Sequence, residues 1–219
     1  MMTSFDFAVS GQHYLFDVQS FAHTILARGG EQYSYALRDR STQGVIDDVV
    51  AGISELGVVM ETSATKDQLD GAFAAAGLEF RELASSAPLV ALPSSHPLVN
   101  AKELALEQLA DYPYVYFEQG EDAPLAFHEE ALADVPRAKK VATTDRATLT
   151  ELIMAINGYT VTSGILVGIT DGSALTTIPL RTDVVLYLGY VAPIGCELSP
   201  MGRRFVAHLQ KSLEYYTTH

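Results

Sequence analysis

Few side chains in this sequence stand at spacings that do covalent chemistry. Ser94-Ser95-His96 sets hydroxyls beside an imidazole, but Pro93 and Pro97 bracket them in a rigid turn. No motif there supplies an orienting acid or an oxyanion hole. His128-Glu129-Glu130 carries the residue types of a zinc-protease helix without a second His four residues on, so no metal site is expected. Cys196 is the only cysteine, which excludes an internal disulfide. It is read as structural or incidental. No catalytic group and no cofactor is therefore expected, and the remaining chemistry is that of non-covalent ligand binding.

The residues suited to binding bunch where strands give way to helices. Phe5, Phe7 and Val9 alternate as in a strand, and Leu15, Val18, Ala22, Ile25 and Leu26 repeat at helical spacing up to Gly29-Gly30. Tyr33, Tyr35 and Leu37 alternate again, and Val45, Ile46, Val49, Val50 and Ile53 form a helical stripe. Leu56 to Met60 is an all-apolar run, as in a strand buried on both faces. Thr65 with Gln68 predicts a capping box for a third helix through Leu69 and Phe73. Residues 4 to about 80 thus read as three strand–helix pairs, the pattern of a parallel sheet.

A second block follows. Leu89 to Leu92 predicts a strand, Leu104 to Leu109 a helix, Tyr114 to Phe117 a strand and Leu125 to Leu132 a helix. Asp145 or Thr144 caps a helix through Leu149, Ile153 and Ile156 that Asn157-Gly158 closes. Tyr159 to Thr162, Leu175 to Leu180 and Val184 to Ala192 are strand-like. Ser199-Pro200 opens a last helix with Met201, Phe205, Leu209 and Leu213 on one face.

Ligands of open α/β sheets sit beyond the carboxyl ends of strands, where helix N-termini offer unpaired N–H groups and partial positive charge. The candidates are Ser10, Gln12 and His13 after the first strand, Ser41 and Thr42 after the second, and Thr62 after the third. Gln119, Thr144, Thr162 and Ser163 are their counterparts in the second block. The blander reading makes Ser10, Ser41 and Thr144 helix caps and pairs Arg38 and Arg40 with Asp39 or Asp47. The expected ligand is a small anionic or polar molecule.

Composition narrows the function classes. In 219 residues, 14 Lys plus Arg stand against 27 Asp plus Glu, a net charge of −13, which argues against this chain gripping phosphate backbones. Tyr112, Tyr114 and Tyr116 have no basic neighbours of a base-stacking platform and are read as packing. No apolar run approaches the ~20 residues of a membrane span, and Met1 to Phe7 lacks the pattern of a secretory signal. A cytoplasmic protein without membrane contact is expected.

Several segments taken in order resemble the effector-binding domain of LysR-type transcriptional regulators. Gly52-Ile53-Ser54-Glu55-Leu56-Gly57-Val58-Val59-Met60 is similar to the family's third strand and its approach, with Glu55 at a position where Asp is common. Pro88 through Leu98, with His96-Pro97-Leu98, is similar to the opening of the family's second lobe. Leu106 to Pro113 and the stretch from Asp145 through Ile165 complete the likeness.

The resemblance implies a type-2 periplasmic-binding-protein-like α/β fold, two Rossmann-like lobes joined by two crossover strands. Lobe I would be residues 1–90 plus 185–219, and lobe II residues 91–184. The family's ligand-contacting hydroxyls would match Ser10 and Ser41 or Thr42, and its redox sensors use a paired cysteine that Cys196 lacks. The implied partners are a small-molecule effector in the interlobe cleft and a second copy in a homodimer. Contacts of that dimer would fall on Leu15, Phe16, Val18 and Ala22 and on Glu121 to His128. No winged helix-turn-helix precedes Met1-Met2, so DNA contact is expected only through an N-terminal domain missing from this sequence. The alternative on the same fold is a solute-binding protein of a transporter.

Overall fold

The computed structural model describes residues 5–165 and 175–218. The expected start at Met1-Met2 lies outside them. The first half runs β1 (Phe7–Gly11), α1 (Leu15–Arg28), β2 (Tyr35–Asp39), α2 (Thr42–Val50), β3 (Leu56–Thr62), α3 (Lys66–Ala75) and β4 (Leu78–Ser86). β1 lies between β2 and β3 and is parallel to both, as helical crossovers require. Every residue of β1 and β3 is buried, which explains the all-apolar run from Leu56 to Met60 in β3. β10 (Leu186–Pro193) joins the same sheet antiparallel to β3 and β4, giving the order β2-β1-β3-β10-β4.

Local chemistry sets the helix ends. Gly29 ends α1 at φ 60°, its N–H donating to the Ile25 carbonyl, and the Ser41 hydroxyl caps α2 by accepting from Gly44 N–H. Thr65 does not form the predicted capping box. Its hydroxyl faces that of Thr62 at 3.0 Å, and Thr62 accepts instead from the backbone of Ala64 and Thr65. Gly57 lets α2 approach β3, because a Cβ there would run into the Val45 side chain.

The second half holds β5 (Leu89–Pro93) between β8 (Thr160–Thr162) and β9 (Leu175–Pro179), both antiparallel to it. β6 (Tyr114–Phe117) and β7 (Lys140–Thr143) form a parallel pair that a Tyr114–Tyr159 bridge attaches to β8's approach. α4 (Arg146–Ile156) is capped by the Asp145 carboxylate and stops at Asn157 in the left-handed region. α5 (Pro200–Thr218) packs on α1 and β4, with Phe205, Leu209 and Leu213 fully buried. Its start is tied down by Glu55, which accepts from Ser199 N–H at 2.5 Å and from the Ser199 hydroxyl at 2.7 Å.

The structure corrects two expectations about helices and adds a strand. The helix predicted at Leu104 to Leu109 is a single 3-10 turn at Leu106–Leu109. The helix predicted from Leu125 to Leu132 is a 3-10 turn of three residues, Leu125–Phe127. Beyond it Leu132 takes φ 60°, and Glu129 and Glu130 turn inward to accept from backbone N–H groups elsewhere. β4 was not predicted, since Glu82 interrupts the alternation that Leu78, Glu79, Phe80 and Arg81 follow. As the edge of its sheet it keeps Glu79 and Arg81 half-exposed and Glu82 exposed, and Arg81 pairs with Glu79.

Candidate functional site

Two helices of the first sheet, α1 and α2, point their N-termini at the second sheet. Thr42 is the first residue of α2, so its N–H has no partner within the helix, and His13 N–H lies two residues ahead of α1; both need an acceptor. The acceptors come from across the cleft. His13 N–H donates to Glu129 Oε2 at 2.9 Å, and Thr42 N–H donates to Gln119 Oε1 at 2.8 Å. Gln119 Nε2 in turn donates to Glu129 Oε1 at 2.8 Å, which joins the two contacts. The Thr42 hydroxyl donates to the Phe127 carbonyl at 2.6 Å and accepts from Gln12 Nε2. Gln12 Oε1 accepts from Met60 N–H at 2.8 Å and from the Tyr14 hydroxyl at 3.0 Å. The result is a continuous buried seam.

His13 joins this seam through its ring as well as its backbone. Its Nδ1 lies 2.8 Å from Glu129 Oε1 and its Nε2 3.1 Å from the Thr144 carbonyl. A carbonyl only accepts, and so does an ionised carboxylate, so the contacts suit an imidazole that donates from both nitrogens. Burial works against that charge. The hydrogen bond and charge of Glu129, with Asp39 and the Thr144 carbonyl, outweigh it and hold the His13 pKa above its ordinary value. The ring stacks on Phe117 at 4.0 Å between centroids.

Beside the seam, Arg146 clasps the two halves. It is the first residue of α4, where a cation opposes the helix dipole, so its place answers to tertiary contacts. One guanidinium nitrogen donates to the Tyr14 carbonyl, and the other donates to both Asp39 oxygens at 2.7 and 2.8 Å. Asp17 lies 3.6 Å from the same guanidinium. Asp17 is 0% exposed and neither carboxyl oxygen has a hydrogen-bond partner. Burial pushes its pKa up to about 8 despite the nearby Arg146.

Two cavities flank His13. The outer one, about 520 Å³, is lined by Asp39, Arg40, Ser41, Asp47, Asp48, Glu118, Gln119 and Thr144. The inner one, about 100 Å³, lies between the sheets. Its apolar wall includes Leu15, Met60, Phe117, Val161, Ile165 and Leu175, and its polar wall includes Glu129, Glu130, Arg146, Thr150, Thr160, Thr162 and Ser163.

Of the residues singled out from the sequence, the fold brings Gln12, His13, Thr42, Gln119 and the Thr144 carbonyl into the seam, and Thr162 and Ser163 onto the inner cavity. Ser41 lines the outer cavity while serving as a helix cap. Ser10 and Thr62 line neither. The buried Ser10 hydroxyl donates to Asp48 at 2.6 Å and meets Ser54 at 2.8 Å, and Thr62 orders the turn after β3. Arg40 pairs with Asp48 at 2.9 Å, and Arg38 reaches Ser54, in place of the Asp39 or Asp47 pairing anticipated for both. Sequence reasoning missed Glu129, Glu130 and Arg146. The first two were weighed only as metal ligands, and their inward turn depends on acceptors demanded by distant backbone. Among the described residues no group of three or more His, Cys, Asp or Glu stands ready to hold a metal ion.

Residues 32–214 match the family model of the LysR substrate binding domain. A search of curated protein sequences finds no significant match. Solved structures share the fold at low identity. HinK, a LysR family transcriptional regulator from Pseudomonas aeruginosa, is 16% identical with a TM-score of 0.65, over 94% of this chain and 70% of that one. The reduced OxyR regulatory domain from the same organism gives 15% and 0.65, over 95% and 94% of the two chains. The effector binding domain of QuiR in complex with shikimate gives 14% and 0.60, over 97% of each. With two α/β halves facing each other across a seam and a family model spanning most of its length, the chain belongs to the LysR substrate-binding-domain family of type-2 periplasmic-binding-protein fold, the ligand-sensing part of transcription regulators and not an enzyme.

Proposed function

We propose that this chain senses a small polar effector in the interlobe cleft and passes the signal to a DNA-binding domain joined to its N-terminus in the full regulator. Residues 1–90 with 185–219 act as one body and residues 91–184 as the other. The observation that carries this reading is the inner cavity, whose wall draws on both halves: Leu15 and Met60 from one, Thr162 and Ser163 from the other. A molecule filling it contacts both bodies and thereby favours one arrangement over another, the differential affinity that switching requires.

In this reading His13, Thr162 and Ser163 touch the effector, together with Glu130 and Arg146. Gln12, Thr42, Gln119 and Thr144 hold the seam that closes behind it. The functional unit is a cytoplasmic homodimer. In support, α1 leaves Val18 36% and Leu26 77% exposed, more apolar surface than a covered helix presents. Among the described residues no helix is long and apolar enough to cross a membrane.

The test is a thermal-shift screen of metabolites, since a ligand of the folded state alone raises stability by mass action. At least one compound is expected to raise the melting temperature, with the shift lost in Ser163→Leu, which fills the inner cavity. A screen without any shift, or an undiminished shift in that variant, removes the cavity from the function.

A further inference from the structure

The charges around the inner cavity do not balance. His13 faces Glu129, and the Arg146 guanidinium is taken up by Asp39, Asp17 and the Tyr14 carbonyl. Glu130 has no such partner. It lines the cavity, is 5% exposed, and uses one oxygen to accept from Phe117 N–H at 2.8 Å, while its Oε2 has no hydrogen-bond partner. The nearest remaining cation, Arg137, donates to the Leu132 and Val135 carbonyls and to the Tyr159 hydroxyl, lies over the Tyr114 ring and makes no ion pair among the described residues.

The other polar groups on this wall are hydroxyls, those of Thr150, Thr160, Thr162 and Ser163, which can accept hydrogen bonds, and Phe117 and Tyr14 add aromatic rings. Meanwhile Glu129 is already engaged, accepting from His13 N–H just ahead of α1. Acceptors, an unanswered carboxyl and aromatic faces around an apolar pocket together suit a cation on a short hydrocarbon body.

We propose that the inner cavity takes a small organic ammonium ion, with Glu130 as its counter-charge and the threonine and serine hydroxyls as further acceptors. This deepens the ligand-sensing reading above and rests on it. In the empty cavity burial, reinforced by Glu129, pushes the Glu130 pKa up to about 8, against the opposing pull of Arg137. Tyr14, Tyr114, His13 and Arg146 are the other titratable or charged groups nearby. An arriving ammonium ionises the carboxyl, so binding at pH 7 releases a proton.

The test uses three probes of equal length on the folded chain at matched ionic strength: n-butylammonium chloride, sodium butyrate and n-butanol. Calorimetric titration in phosphate and in MOPS is expected to show binding of the ammonium alone, with a buffer-dependent heat that reports proton release. Glu130→Gln keeps the shape of the protonated acid and is expected to weaken ammonium binding at least ~10-fold, the loss for one charged hydrogen bond, and to abolish the buffer dependence. Stronger binding of butyrate or butanol overturns the proposal, as does wild-type affinity for the ammonium in Glu130→Gln. If that variant does not fold, the probe series and proton release on the unaltered chain decide alone. Absence of ammonium binding while other metabolites raise the melting temperature sinks this inference and leaves the sensing reading intact. A metabolite screen blank in every charge class sinks both.

Discussion

The two sides of His13 differ in how they treat buried polar groups. On the seam side, Gln12, Thr42, Gln119 and Glu129 answer one another and the helix N-termini, so the halves meet with their donors satisfied. On the other side, Glu130 at the cavity and Asp17 beside Arg146 hold carboxyl oxygens with no hydrogen-bond partner. A satisfied seam stabilises one arrangement, whereas unsatisfied acids keep part of the interface poor until something supplies donors. The same cleft thus combines a satisfied latch with buried carboxyl oxygens that no donor answers.

The sharpest way to break this contrast is to remove the latch's centre. Glu129→Ala strips the acceptor from His13 N–H, the His13 ring and Gln119 together. It leaves a buried cation unpaired, so a loss of about 3–5 kcal/mol is expected. Urea unfolding measures it. A loss below about 1 kcal/mol, the scale of exposed ion pairs, would show that the seam contributes no more than a surface contact.

That central role was invisible in the sequence for a physical reason. β3 was legible because burial on both faces leaves an unbroken apolar run, β1 from the alternation of Phe5, Phe7 and Val9, and the ends of α2 and α4 because Ser41, Asp145 and Asn157 act locally. Gln12, His13, Thr42 and Gln119 could be picked out because strand ends place them at the cleft. Glu129 acts over 116 residues of sequence separation, and no spacing rule links it to His13. The stretch from Leu125 to Leu132 even carries helical periodicity. That preference is overridden by backbone donors at His13 and Phe117 that demand carboxylates.

The pH dependence sharpens the comparison, because both sides contribute with one sign. Asp17 and Glu130 have folded pKa values raised to about 8 from ordinary values of 3.8 and 4.5. Between those limits the folded chain holds protons that the unfolded chain has released, so stability falls as pH rises. His13 is also raised, and its pairing with Glu129 is fully present below the unfolded value of 6.5 and lost as pH climbs through the folded one. Glu61, raised to about 7 by burial despite Lys66, adds to the same slope. His96, His128 and His208, lowered chiefly by burial, oppose this slope below 6.5, so the chain is expected to melt higher at pH 6.5 than at pH 8. Asp17→Asn should flatten that difference and raise the melting temperature at pH 8, and an unchanged pH profile would show that its unpartnered oxygens carry no cost.

Arg146 links the two sides, and its removal is expected to cost less than that of Glu129. Arg146→Ala loses the two bonds to Asp39 and one to the Tyr14 carbonyl, but Asp39 sits near solvent and can rehydrate. A loss of about 2 kcal/mol follows, the scale of a hydrogen bond to a charged group. The variant should also push Asp17 further toward its protonated form and steepen the fall in stability with pH. A parallel, unsteepened profile would separate Asp17 from the clasp.

The smallest effect belongs to Ser41, which lines the outer cavity and yet makes a purely local bond. Its hydroxyl accepts from Gly44 N–H at 3.3 Å, three residues along the same helix. Ser41→Ala should cost about 1 kcal/mol, the usual loss of a helix cap. It should leave the pH profile and n-butylammonium binding unchanged, because neither Glu130 nor the seam touches it. Position at the cleft and participation in its chemistry are then separable quantities. Altered binding in this variant would mean that the outer cavity communicates with the inner one through α2, and the division drawn at His13 would have to move.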